Sequence, residues 1–141
     1  MTLKEPMQRR ISESFATQSM MKTLGARLGS ISAGRVVISA PILQTTRQQH
    51  GFAHAGLTFA LGDSAAGYSA LSVMPDGYDV LTIEMKINLL DPGKGEMLRA
   101  TGRVIKPGRR LVVVAADVHA IDAGRETLVA VLQGTMMPMP P

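Results

Sequence analysis

The sequence contains no cysteine, which excludes disulfides, thiolate zinc sites, iron–sulfur clusters and a thiol nucleophile, so any chemistry must use oxygen or imidazole. It has no tryptophan and only 4% aromatic residues, too few platforms for stacking on nucleic acid bases. No uninterrupted apolar run approaches the roughly 18–20 residues that cross a bilayer, and the opening Met1-Thr2-Leu3-Lys4-Glu5-Pro6 lacks the apolar core of a secretion signal. The expectation is a cytoplasmic protein with neither a membrane nor a nucleic acid partner. Charged residues are 18% of the chain, and there is no low-complexity run or internal repeat, which argues against disorder, collagen-like and coiled-coil structure.

What is present, 141 residues of which 45% are hydrophobic, suits a single domain over 1–141, with an N-terminal helical segment at 1–23 and a tail at 138–141. The net charge of +4 fits an anionic partner. Its distribution says more, because Arg103, Lys106, Arg109 and Arg110 gather around one turn.

Met7, Ile11, Phe15 and Met20-Met21 recur at near-helical spacing and predict one amphipathic helix within residues 5–23. Leu28, Ile31, Val36, Ile38 and Ala40 flank Ser32-Ala33-Gly34-Arg35 as a hairpin would require, and 44–51 reads as a polar loop. Residues 54–72 are apolar or small on nearly every side, the mark of a buried helix whose stability must come from packing. Four strands follow, at 80–90, 97–106, 110–120 and 126–137, separated by Asp91-Pro92-Gly93, Lys106-Pro107-Gly108 and Asp122-Ala123-Gly124. Connections this short require antiparallel pairing. The architecture is α+β, a curved antiparallel sheet wrapped around one central helix. The Pro-rich tail is not expected to continue it.

Asp63 stands alone among the apolar residues of 54–72. It is either a carboxylate whose burial raises its pKa toward the range of a general base, or the cap of a second helix after a break at Gly62.

The residues around it, Gln48, then His54-Ala55-Gly56-Leu57, then Leu61-Gly62-Asp63-Ser64, resemble the signature of the PaaI-type thioesterases of the hotdog superfamily. That signature places a polar amide before a His-Gly-Gly turn and an acid in the helix beyond, and the spacing matches. Thr82 to Asn88 with Asp91-Pro92 is similar to the family's next strand and turn, so the resemblance covers roughly 25–137. It implies a hotdog fold, assembly as a homodimer or homotetramer, and hydrolysis of acyl-coenzyme A without metal or cofactor, coenzyme A being part of the substrate. By the same resemblance Asp63 activates water or attacks as nucleophile, and Thr82 helps to hold the water. The N–H of Ala55 polarises the thioester carbonyl, Gln48 assists, His54 orients the turn, and Gly56 borders the substrate. Ala55 stands where the family has glycine, and Gln48 where asparagine is commoner.

Helix N-termini favour developing negative charge, so the donor assignment is also physically reasonable. Ala55 and Asp63 are eight residues apart, about 12 Å on one helix. The acid and the donor of one site should therefore come from different subunits, with helices antiparallel about a two-fold axis. His50 and His54 have the spacing of two metal ligands on a helix, but Gly51 and the loop context oppose it and no third ligand is evident. Lys106, Arg109 and Arg110 on a type II turn are either a solvated hairpin tip or a grip for coenzyme A phosphates. Rival readings are a hotdog hydratase or dehydratase, which would pair a catalytic histidine with its acid, and a non-catalytic acyl-coenzyme A-binding module.

Overall fold

In the computed structural model, which describes residues 2–141, α1 (Glu5–Thr17) and α2 (Ser19–Thr23) precede a hairpin of β1 (Arg27–Ser32) and β2 (Arg35–Pro41). Then come α3 (Ala55–Leu71), β3 (Asp79–Leu89), β4 (Met97–Pro107), β5 (Val112–Asp122) and β6 (Arg125–Met139). The strands form one antiparallel sheet in the order β1-β2-β4-β5-β6-β3, so β3 leaves α3 for the far edge and β1 closes the other. This is the hotdog fold, with α3 packed in the curve of the sheet.

Small residues let α3 sit that deep. A Cβ on Gly102 of β4 would lie 2.3 Å from the Ala65 carbonyl, so sheet and helix backbones are in direct contact there. Buried serines then rivet the helix to the first hairpin. Ser69 Oγ accepts from Val36 N at 3.0 Å and donates to Ala65 O at 2.7 Å. Ser72 Oγ accepts from Gly34 N at 2.7 Å and donates to Ser69 O at 2.6 Å. Both hydroxyls thus accept from the hairpin and donate to a carbonyl of their own helix.

Three sequence expectations are corrected, and the open alternative at Gly62 is decided. The N-terminal segment is two helices, because Gln18 takes extended angles (φ −77°, ψ 98°) and turns the chain. Gly62 does not break α3; a Cβ there would meet the Leu132 side chain at 2.7 Å, so the glycine serves close packing. The tail does continue the sheet, Pro138 pairing with Val80 and Met139 with Asp79. β5 ends opposite Met136, so beyond that point β6 has one neighbour, and an edge position tolerates proline. The Lys106–Arg110 connection is not type II, since Gly108 is not among the residues at positive φ, and Gly108 N instead donates to Lys106 O at 3.1 Å. Its glycine is needed because a Cβ would strike Leu111 O at 2.3 Å.

Candidate active site

Asp63 lies midway along α3 on the side facing β3, and Thr82 Oγ1 donates to its Oδ1 at 2.8 Å. The β3–β6 register shifts between Thr82 and Glu84, a bulge of the kind that re-aims a side chain. Burial pushes the Asp63 carboxyl above the ordinary aspartate value, and the Thr82 hydrogen bond only partly offsets this. Oδ2 is left without a protein donor among the described residues, facing a cavity of about 240 Å³.

The other half is built at the start of α3. His54 is the N-cap, extended at φ −63°, ψ 140°, with Nδ1 accepting from Gly56 N at 2.8 Å. Its carbonyl takes the N–H groups of Leu57 and Thr58. With His54 N donating to Thr46 O at 2.9 Å, three of the four orphan donors at the helix start, those of His54, Gly56 and Leu57, are satisfied, and the exposed Ala55 N–H is left without a partner among the described residues. Gln48 Oε1 accepts from His50 N at 2.6 Å and Phe52 N at 3.2 Å, closing the loop on itself. With the carbonyl end of the amide spoken for, Nε2 is free to donate. Gln48 and Ala55 line one cavity of about 450 Å³, together with Leu89 and Leu90.

The structure therefore brings Asp63 to Thr82 and Gln48 to Ala55, but does not bring the two pairs together within one chain. The N–H of Gly56 is engaged by His54 rather than open to substrate. Lys106, Arg109 and Arg110 line neither cavity; Arg109 borders a separate groove with Pro75 and Tyr78 beyond the C-terminal end of α3. His50 sits in the loop and His54 at the helix cap, so they share no helical face. Sequence reasoning passed over Ser14, Gln18, Tyr68 and Asp79, which border the Asp63 cavity. The one available signal was Tyr68, a side chain with a polar end in an otherwise apolar helix.

A sheet curled on a helix, with a raised carboxyl at mid-helix and an unpaired N–H at its start, defines a hydrolase of the hotdog class. The thioesterase superfamily profile matches residues 50–127. A thioesterase family protein from Silicibacter pomeroyi superposes with a TM-score of 0.94 at 40% identity, over 96% of this chain and 99% of that one. The E. coli PaaI protein from the phenylacetic acid degradation operon shares the fold, with a TM-score of 0.86 at 22% identity over 98% and 96% of the two chains. A 1,4-dihydroxy-2-naphthoyl-CoA hydrolase of Listeria monocytogenes is 26% identical over 91 residues, 64% of this chain and 73% of that protein. The chain belongs to the thioesterase superfamily and is a thioester hydrolase. Among the described residues, no helix is long and apolar enough to cross a membrane.

Proposed function

We propose that the chain hydrolyses acyl-coenzyme A esters, without metal or cofactor, in sites that two copies of the chain share. The observation that carries this reading is the division of the machinery: the Asp63–Thr82 pair and the free Ala55 N–H lie in different cavities on one unbroken helix. Their positions differ by eight residues, about 12 Å along the axis, too far to serve one carbonyl. The edge strand supports the same assembly. β3 has β6 on one side only, and its Leu81 and Ile83 are 53% and 51% exposed. If two β3 strands pair antiparallel about a two-fold axis, the Asp79–Thr82 end of one meets the Leu89 end of the other. Those ends border the acid cavity and the donor cavity respectively, so the two cavities join twice per dimer. The named coenzyme A hydrolase among the relatives supports coenzyme A as the thiol.

In the joined site, Asp63 takes a proton from water that Thr82 helps to hold, and the water oxygen attacks the thioester carbon. The oxyanion accepts from Ala55 N–H and Gln48 Nε2 of the partner subunit, with the positive end of the helix dipole behind them. Collapse breaks the C–S bond, and the coenzyme A thiolate leaves and takes up the proton held by Asp63. His54 positions this donor by capping the helix, and Gly56 gives the cap its N–H. A thiol-release assay over acyl-coenzyme A esters tests the reading. Free coenzyme A and the carboxylic acid are expected in equal amounts; saturable binding without release of thiol would refute it.

A further inference from the structure

We infer that Arg47 is a positioning residue for the reaction: its guanidinium fixes the turn that carries Gln48, so that Gln48 Nε2 and the Ala55 N–H are held ready for one oxyanion. The inference deepens the thioesterase reading above and rests on it.

The loop that carries Gln48 is anchored at its base. His54 N donates to Thr46 O at 2.9 Å, Ala53 N donates to Gly93 O at 2.8 Å, and Arg47 pairs with Ala53 in a single antiparallel bridge. At the tip the main-chain N–H groups bond only within the turn. Gln48 N donates to Phe52 O at 2.8 Å and Gly51 N to Gln48 O at 3.0 Å, while Gln48 Oε1 takes the N–H groups of His50 and Phe52. Gln49, His50 and Gly51 are exposed, and a Cβ on Gly51 would have nothing within 4 Å.

The Arg47 side chain crosses from this tip to the sheet. Nη1 donates to Gly51 O at 2.7 Å and Nη2 to Ile42 O at 3.0 Å. Ile42 is buried, and its own N–H donates to Glu96 O at 2.9 Å beside the start of β4, so its carbonyl is part of the rigid framework. Arg47 forms no ion pair among the described residues, and its Nε is buried without a partner. Its two bonds run to main-chain oxygens alone, and what the planar fork contributes is a fixed span between two carbonyls.

That span sets where a donor points. Because Oε1 of Gln48 is held by the turn, Nε2 moves with the turn. The Ala55 N–H is placed separately, by the His54 cap of α3, so a turn released from the sheet carries one donor away from the other. Oxyanion donors act at about 2.7–3.1 Å, and a misplacement of about 1 Å is enough to lose most of the effect.

Arg47→Ala should lower kcat for acyl-coenzyme A esters by about 10- to 100-fold and change KM by less than about twofold, since the loss falls on the transition state. Arg47→Lys should fall nearly as far, because one ammonium does not span two carbonyls; wild-type turnover in the lysine variant would overturn the inference. In a Gln48→Ala background, Arg47→Ala should cost less than about threefold more, the donor it aims being already gone. Fully multiplicative losses would show that Arg47 acts elsewhere and would also overturn it. Hydrogen exchange separates this inference from the thioesterase reading. The amides of His50 and Phe52 should exchange about tenfold faster in Arg47→Ala than in the wild type, while residues 61–68 of α3 keep their protection. Should the alanine variant not fold, the lysine variant carries the same measurements. If the wild type hydrolyses no ester, the thioesterase reading fails and exchange alone judges the clamp: faster exchange at His50 and Phe52 upholds it, and unchanged exchange overturns it.

Discussion

A carboxyl held above its ordinary pKa makes opposite demands on stability and on catalysis, and Asp63 shows both. Its folded-state pKa is raised from 3.8, chiefly by burial, so folding disfavours the charged form. Well below pH 3.8 the group is neutral in both states and costs nothing; as pH rises from there through the raised value, stability is progressively lost. Asp63→Asn removes that loss, and the amide oxygen can still accept from Thr82. Thermal unfolding of the variant should therefore occur at a higher Tm than wild type at pH 7, with the gap closing in acid. A lower Tm at pH 7 would contradict the burial argument. The same substitution cannot take up the water proton, and thioester turnover should fall by about 10²–10⁴. In the wild type, kcat/KM should decline on the acid side with a midpoint above 3.8, because the neutral carboxyl is not a base. Asp63 was legible in the sequence as the one acidic residue of an apolar helix, and Thr82 only through the resemblance to a known family. The Tyr68 cluster was not, because residues 14, 18 and 68 come together only through folding, and Ser14 reads as an interruption of an amphipathic pattern.

The small residues where α3 meets the sheet make a graded prediction at the level of the element. At Gly102 an added methyl group would meet the backbone of Ala65, which cannot move without shifting the helix. At Gly62 it would meet the end of the Leu132 side chain, which can rotate. Gly102→Ala should destabilise by about 1–3 kcal/mol or more. Gly62→Ala should be close to neutral, repacking of Leu132 being offset by roughly 1 kcal/mol of helix propensity. Urea unfolding midpoints measure both, and equal losses would show that the helix and sheet are not in backbone contact. The β4–β5 turn allows a second test. Replacing Arg109 and Arg110 with Ala should raise KM for coenzyme A esters more than for truncated thioesters if the turn grips phosphates, and alike for both if it is only a solvated tip. Turn positions and strand order of appearance were readable because proline and glycine mark them. The split at Gln18 and the extension through Pro138 were not, since each depends on what the segment packs beside rather than on its own composition.

At the scale of the whole molecule, the division of the site predicts complementation between inactive chains. Ala55 is the first residue of α3, where proline is tolerated, and His54 already has the extended angles that precede a proline. Ala55→Pro should fold and lose only the free N–H. Refolded with Asp63→Ala protein, it should give mixed dimers in which one site carries both defects and the other neither. Activity should return to a fraction of the wild-type level, and mixed dimers without activity would rule out shared sites. In the sequence the proposed assembly rested on an eight-residue distance alone; the uncovered edge that would permit it became visible only with the sheet order.

The two borders of the sheet are also unlike. β1 is six residues long, its register slips between Leu28 and Ile31, and it presents Gly29, Ser30 and Ser32; β3 is eleven residues long and presents Leu81 and Ile83. A short, polar border is a poor template for another strand, whereas one long enough to form a full ladder and carrying exposed Leu81 and Ile83 invites it. Joining two copies through β3 uses up both inviting borders and leaves β1 at each end of the enlarged sheet. In the proposed assembly, growth of the sheet would then stop at two chains, and the edge that joins them would not propagate into a fibre.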